Sequence, residues 1–294
     1  MNQIEGLAKT LSSKGYQTSF FHGGRNGTMN FDAYSKSAGF TSYVGMDEYP
    51  TKEDYDGHWG IWDEEFLGFA EDQLNNFNEP FLATIFTLSS HHPYQIPSKY
   101  KGKFPKGKGD IQQAIAYTDF AVKQFFEKAK KEPWFSKTLF IITADHTSEG
   151  TSPSYRNSLG QLSIPIAFYS PTDTLLKSRS SKSPVQQSDI FPSIIQYLGI
   201  KDSILYFGNS VFDPNTDAFA INYYGDFQLL DSAYLLQFSG LEPVSLYAYK
   251  KDSLLKNNLI DSVDYSHLLE LQRAINQQYN NRMIQNKLRA EQDD

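Results

Sequence analysis

Three short segments of this 294-residue chain carry side chains suited to binding a metal ion or an anion: His22, His91 with His92, and Asp145 with His146. Each follows or closes an apolar run, residues 16–21, 81–88 and 138–144 respectively. A carboxylate oxygen beside an imidazole nitrogen offers a hard and an intermediate donor, and both can turn onto one divalent ion. An imidazole N–H can also donate to an anionic oxygen. Taken singly, each segment has an ordinary explanation, since a histidine after a strand often serves packing and Asp-His is a common dipeptide. Three such clusters after three separate runs point instead to a metal or anion site. The chain has no cysteine, which excludes disulfides, Cys-ligated zinc, iron–sulfur clusters and thiol nucleophiles.

Ligands of a parallel sheet collect outside the carboxyl ends of its strands, so the elements before these clusters decide whether they meet. Ile4, Leu7, Ala8 and Leu11 fall at helical spacing, and Lys14-Gly15 supplies a stop. Residues 16–21 read as a strand, after which Gly23 and Gly24 permit a sharp turn. Phe66, Phe69, Ala70, Leu74 and Phe77 predict a second helix, with Asp63 as its N-cap. Residues 81–88 are apolar on both faces, the pattern of a buried parallel strand. A long helix follows through Ile111, Ile115, Thr118, Val122, Phe125 and Ala129. Residues 138–144 and 164–169 read as further strands, and 189–198 as a short helix closed by Gly199. Alternation of this kind predicts an α/β, doubly wound, mostly parallel sheet.

The character changes near residue 213. Residues 218–223, 233–238 and 244–249 read as three strands of a small antiparallel sheet, with Gly225-Asp226 in the first connection. A terminal helix runs over 262–289 through Leu268, Leu271, Ile275 and Tyr279. The expected division is therefore an α/β core over 1–212 and an α+β subdomain over 213–294.

Composition narrows the function classes. With 34 acidic against 27 basic residues, the net charge of −7 argues against a nucleic-acid partner, which needs a basic face. No apolar run reaches the roughly 18 residues of a membrane span. Residues 1–6 have neither the basic nor the apolar region of a signal peptide. The expectation is a soluble chain with no address of its own. Aromatics at 15% imply a core built largely on Phe and Tyr. His58, near Trp59 and Trp62, is read as a packing residue at a helix entry, and His267 as a helix surface residue. The aromatic stretch 43–62 could shape a substrate mouth.

Five stretches, in order, resemble the sulfatase branch of the alkaline phosphatase superfamily. Residues 141–146, Ile-Ile-Thr-Ala-Asp-His, resemble its late metal-binding motif. Residues 14–23 resemble its run from helix to strand to substrate-side histidine, and Thr87-Leu-Ser-Ser-His91-His-Pro-Tyr94 resembles a loop of lipoteichoic-acid-synthase-like phosphoglycerol transferases. Residues 164–171 with 187–194 resemble the late strand and the "Q-x-D-I-x-P-S/T-I" helix, and 246–259 a C-terminal sulfatase stretch. The resemblance covers about residues 7–260 and implies an alkaline-phosphatase-like sheet with helices on both faces.

It also implies a function. In this family a divalent ion and an activated Thr, Ser or formylglycine attack a phosphate or sulfate ester, through a covalent intermediate. Carried over, Asp145 and His146 match metal ligands, with manganese expected and zinc or calcium as alternatives. His91 matches a histidine facing the substrate, and His22 one lining the same pocket. Met29 and Phe31 stand where related transferases have a Trp and an Arg that hold glycerol phosphate, leaving Arg25 as a substitute anion contact. The acidic ligand of the family's first strand and its nucleophile are expected upstream, on a membrane-associated parent facing outside the cytoplasm. The chain then reads as the C-terminal two-thirds of a catalytic domain, inactive alone. It would act in its parent on a phosphate or sulfate ester, which could be lipid-linked, and a homo-oligomer is compatible with this. A different class is also open: a catalytically dead module binding an anionic ligand or a partner.

Overall fold

The computed structural model describes residues 4–148, 150–173, 176 and 181–290. They form two compact units, one of residues 4–138 with 170–172, the other of 139–169 with residues from 173 onward. The change of character expected near residue 213 falls inside the second unit.

The first unit runs α1 (Leu7–Ser13), β1 (Gln17–His22), α2 (Phe31–Ser37), β2 (Ser42–Val44), α3 (Asp63–Leu74), β3 (Phe81–Phe86) and α4 (Asp110–Ala129). α1 ends where expected, with Lys14 as C-cap and Gly15 at φ +85°. The strands lie in the order β2-β1-β3, all parallel, because a helix separates each strand from the next in sequence. The register runs from Gln17 opposite Phe81 to His22 opposite Phe86. The core gathers Leu11, Phe21, Ile61, Phe66, Ala70 and Leu74.

α4 buries Phe125 and Ala129 as expected, but Ala114, Tyr117 and Ala121 take the place of the other expected residues. Ala114, Tyr117, Ala121, Phe125 and Ala129 face inward, and Ile115 is 51% exposed. Three of the five inward residues are alanines, whose small side chains allow close approach, and counting large apolar residues overlooks such a seam. Asp63 is also corrected. The N-cap position belongs to Trp62, and Asp63 is the first helical residue of α3, wholly buried.

The second unit contains β4 (Phe140–Thr143), β5 (Ile166–Tyr169), α5 (Ile190–Tyr197), β6 (Ala220–Tyr224), β7 (Asp226–Leu230), β8 (Leu235–Ser239), β9 (Glu242–Tyr247) and α6 (Ser266–Ile284). β4 and β5 pair antiparallel, Phe140 opposite Tyr169, with short 3-10 turns between them and no helix longer than these among the described residues. β4 is apolar on both faces, yet Ile142 is 45% exposed, since among the described residues β5 is its one partner.

The antiparallel sheet has four strands in the order β6-β7-β8-β9, one more than expected. Gly225, at φ +79°, reverses the chain at once, and Asp226 opens β7 instead of a loop. Leu229, Leu236, Phe238 and Leu246 pack with Leu268 of α6 into this sheet's core. No helix among the described residues is long and apolar enough to cross a membrane.

Candidate functional site

β1 ends on His22, and β3 leads into residues 87–95, which carry His91. Because the two strands are parallel, both segments leave the same end of the sheet. His22 itself is only 2% exposed. Its ring stacks on Phe31 with centroids 4.3 Å apart and meets the edge of Phe86 at 5.6 Å. The Tyr43 hydroxyl lies 3.0 Å from its Nδ1. Burial drives its pKa from 6.5 down to about 4, so the imidazole is neutral at physiological pH.

The glycines after His22 serve close approach rather than a left-handed turn. A Cβ on Gly24 would lie 2.6 Å from His22 Cε1, and one on Gly60 would lie 2.5 Å from the Gly23 carbonyl. Gly24 and Gly60 form an antiparallel bridge there. Only bare backbone fits.

His91 is exposed and rests on Trp59, with ring centroids 4.1 Å apart. The indole Nε1 of Trp59 donates to the His92 carbonyl at 2.6 Å. Asp56 fixes Trp59 by accepting the amides of His58, Trp59 and Gly60 at 2.7, 2.8 and 3.1 Å. His91 Nδ1 lies 2.9 Å from the His92 carbonyl. A carbonyl oxygen can only accept, so Nδ1 carries the proton and the Nε2 of a neutral ring is an acceptor. Donation from His91 Nε2 to an anion therefore requires the imidazolium.

The buried carboxylate that expectation placed at a helix cap holds this loop instead. Asp63 Oδ1 accepts the amides of Leu88 and Ser89 at 2.7 and 3.1 Å, and the Thr118 hydroxyl donates to Oδ2 at 2.7 Å. The Asp63 amide in turn donates to Ser89 Oγ at 3.0 Å. Burial raises the Asp63 pKa against these hydrogen bonds, which favour the ionised form. Arg25 is exposed, with its guanidinium 5.7 Å from the Tyr55 ring centroid. A cavity of about 520 Å³ beside α3 and α4 is lined by Tyr49, Glu64, Glu65, Phe69 and Lys128 among others, and by none of His22, Arg25 or His91.

In the second unit, Asp145 and His146 follow β4 directly, both exposed. His146 Nε2 lies 3.3 Å from Asp145 Oδ2. His146 Nδ1 lies 2.7 Å from the Thr147 carbonyl, which again places the proton on Nδ1. A neutral His146 thus turns its Nε2 lone pair toward a carboxylate oxygen. This donor set suits a divalent cation, with the other ring nitrogen tied to a carbonyl as metal-binding histidines usually are. The pair amounts to two donors, and no group of three or more His, Cys, Asp or Glu is placed to hold a metal ion among the described residues.

Gln187 positions the pair, its Nε2 donating to the carbonyls of Ala144 and Asp145 at 2.8 and 3.0 Å. Asp189 closes a capping box with Gln186 and accepts the Asn209 amide at 2.8 Å. The "Q-x-D" residues are scaffolding for the loop. His58 is exposed, held through its backbone, and His267 lies on α6 with Nε2 3.1 Å from Asp231.

Sequence reasoning singled out His22, Arg25, His91, Asp145 and His146. The residues that set their chemistry, Tyr43, Trp59, Asp63 and Gln187, were not among them, although Gln187 opens the Q-x-D motif. Trp59 and Tyr43 lay in the aromatic stretch already noted, and Asp63 had only the signal of a helix start.

The family described as Sulfatase matches residues 1–200. The lipoteichoic acid synthase-like YvgJ of Bacillus subtilis is 23% identical over 252 residues, 79% of this chain and 41% of that protein. The chain thus spans about two-fifths of that relative's length. A protein of the alkaline phosphatase superfamily from Vibrio parahaemolyticus shares the fold, with TM-score 0.83 and 24% identity over 99% of this chain and 71% of that one. The lipoteichoic acid synthase LtaP from Listeria monocytogenes gives TM-score 0.76 at 18% identity, over 95% of this chain and 73% of that one. The α/β fold expected from the alternating elements is the fold of these proteins.

Proposed function

This chain belongs to the sulfatase family, and on that premise we propose that it is part of a metal-dependent transferase or hydrolase of phosphate or sulfate esters. A phosphoglycerol-type transfer is favoured over sulfate release by the likeness to lipoteichoic acid synthases. The nucleophile and a further acidic metal ligand are assigned to a segment of the parent protein that this sequence does not contain. The parent is placed at the outer face of the cell membrane, and its substrate can then be lipid-linked.

Within that reading, Asp145 contributes a carboxylate oxygen and His146 its Nε2 to a divalent ion, manganese before zinc or calcium. When bound, such an ion lowers the nucleophile's pKa and stabilises the charge growing on the transferred group. Gln187 holds the backbone under this pair. His91, propped on Trp59, binds an anionic oxygen as imidazolium or takes a proton as a neutral base. His22, buried and neutral, shapes the end of β1. Phe31, stacked on His22, makes that surface apolar where an arginine would have made it an anion clamp, and Arg25, three residues after His22, is the substitute cation.

The orientation of His146, with Nδ1 on the Thr147 carbonyl and Nε2 beside Asp145, carries the reading. Manganese titration by calorimetry tests it. Two protein ligands leave most of the coordination shell to water, so binding weaker than micromolar is expected, lost in Asp145→Ala. Micromolar or tighter binding that depends on Asp145 would place a third ligand in this chain. Binding untouched by Asp145→Ala would remove the assignment.

A second reading has its own support. A non-catalytic module that binds an anionic ligand is consistent with the two-donor metal pair and with Phe31 covering His22. Ester turnover by a longer form of the protein, absent when Asp145 and His146 are replaced, decides for the enzyme.

A further inference from the structure

The loop between β3 and α4 carries a concentration of charge that net composition conceals. Residues 80–109 contain no Asp or Glu, and five lysines fall within ten positions: Lys99, Lys101, Lys103, Lys106 and Lys108. Lys99 is neutralised by Glu64 and Glu65 at 2.9 and 2.5 Å. The other four are exposed, and none forms an ion pair among the described residues.

The loop is built rather than loose. Between the lysines, Tyr100 and Phe104 turn inward onto Tyr117 and Phe120 of α4, with ring centroids 5.3 to 6.0 Å apart. The Tyr100 hydroxyl donates to Glu64 at 2.6 Å. Gln113 Nε2 donates to the Phe104 carbonyl at 3.2 Å, and the Lys108 amide to Gln112 Oε1. Lys103 Nζ sits 3.7 Å above the Phe120 ring. Aromatic anchors inside thus hold four ammonium groups outside.

We propose that this lysine loop is a docking surface for an anionic phospholipid bilayer, independent of the ester chemistry assigned above. Lysines are flexible point charges, and they respond to a field of many phosphates rather than gripping one anion in a fork, as arginines do. Single-stranded nucleic acid would need aromatic faces presented outward for stacking, and here the rings are spent on the protein. At about 0.1 M salt the Debye length is roughly 10 Å, so a surface senses the nearest lysines and not the chain's net charge of −7.

The test is sedimentation of the chain with vesicles of phosphatidylglycerol and phosphatidylcholine in equal amounts, with pure phosphatidylcholine vesicles as the neutral comparison. Binding is expected to the anionic vesicles alone and to weaken steeply with salt. A lysine near an anionic bilayer contributes about fivefold in partitioning, so K101Q/K103Q/K106Q/K108Q together are expected to lose several hundredfold. K123Q/K130Q/K131Q, on the later turns of α4 and just after it, remove three charges from elsewhere and are expected to retain binding. If the quadruple variant fails to fold by circular dichroism, K101Q/K106Q/K108Q leaves Lys103 on Phe120 and is expected to lose about a hundredfold. The proposal is overturned by an absence of vesicle binding at low salt, by lysine-loop variants that bind as the unaltered chain does, or by α4 variants that lose as much. Binding of long-chain inorganic polyphosphate without binding of anionic vesicles also overturns it, and assigns the loop to a soluble polymer.

Discussion

Replacing His22 by glutamine removes one titrating group and exposes how the site controls charge. In the folded chain the ring lies under Phe31 and beside Phe86, and burial lowers its pKa from 6.5 to about 4. The unfolded chain takes up this proton near pH 6.5, the folded chain only near pH 4. Stability from this group is therefore complete above about 6.5 and is lost as pH falls toward 4. Each tenfold difference in proton affinity corresponds to about 1.4 kcal/mol, so the loss on full protonation is about 3 kcal/mol. Urea unfolding of the chain and of His22→Gln, followed between pH 7 and pH 4, isolates the effect because the other histidines are common to both. The difference between the two is expected to shift against the unaltered chain by about 3 kcal/mol across that interval. Parallel stability curves, or an NMR titration of His22 near 6.5, would refute the argument that burial governs its charge. A cationic His22 would then have to be reconsidered as a direct anion contact.

Other consequences can be measured in the same chain. Asp63→Ala strands two buried amides and a hydroxyl, costing about 3–5 kcal/mol, and hydrogen exchange at Leu88 and Ser89 is expected to accelerate. Gly24→Ala presses a methyl group onto His22 and the Trp59 carbonyl, so a loss of about 1–3 kcal/mol in denaturant unfolding is expected. Trp59→Ala removes the ring on which His91 rests and is expected to alter the His91 ring chemical shifts by NMR while leaving those of His146 unchanged. The chain alone is expected to turn over neither p-nitrophenyl phosphate nor p-nitrophenyl sulfate with manganese, zinc or calcium. Turnover abolished by Asp145→Ala with His146→Ala would locate a nucleophile here, with Thr147, Ser148 and Thr151 the first to examine.

The order of elements was legible in the sequence because hydrophobic periodicity is a local property. The stop of α1 at Lys14-Gly15, the strand into His22 and the short helix before Gly199 all announce themselves within a few residues. The five motifs were legible for the same reason, and they carried the family and its fold. What needed the tertiary structure were the partners that come from far along the chain. Asp63 looks like a helix cap until Leu88 and Ser89, some 25 residues later, are folded onto its carboxylate. His22 reads as a pocket-lining histidine after a strand until Phe31, Tyr43 and Phe86 converge on it and hold it neutral. The seam of α4 holds three alanines beside Tyr117 and Phe125, and hydrophobic counting undervalues alanines that close packing prefers. The direction of a histidine's lone pair, finally, is settled by which carbonyl reaches its other nitrogen, and only the folded backbone decides that.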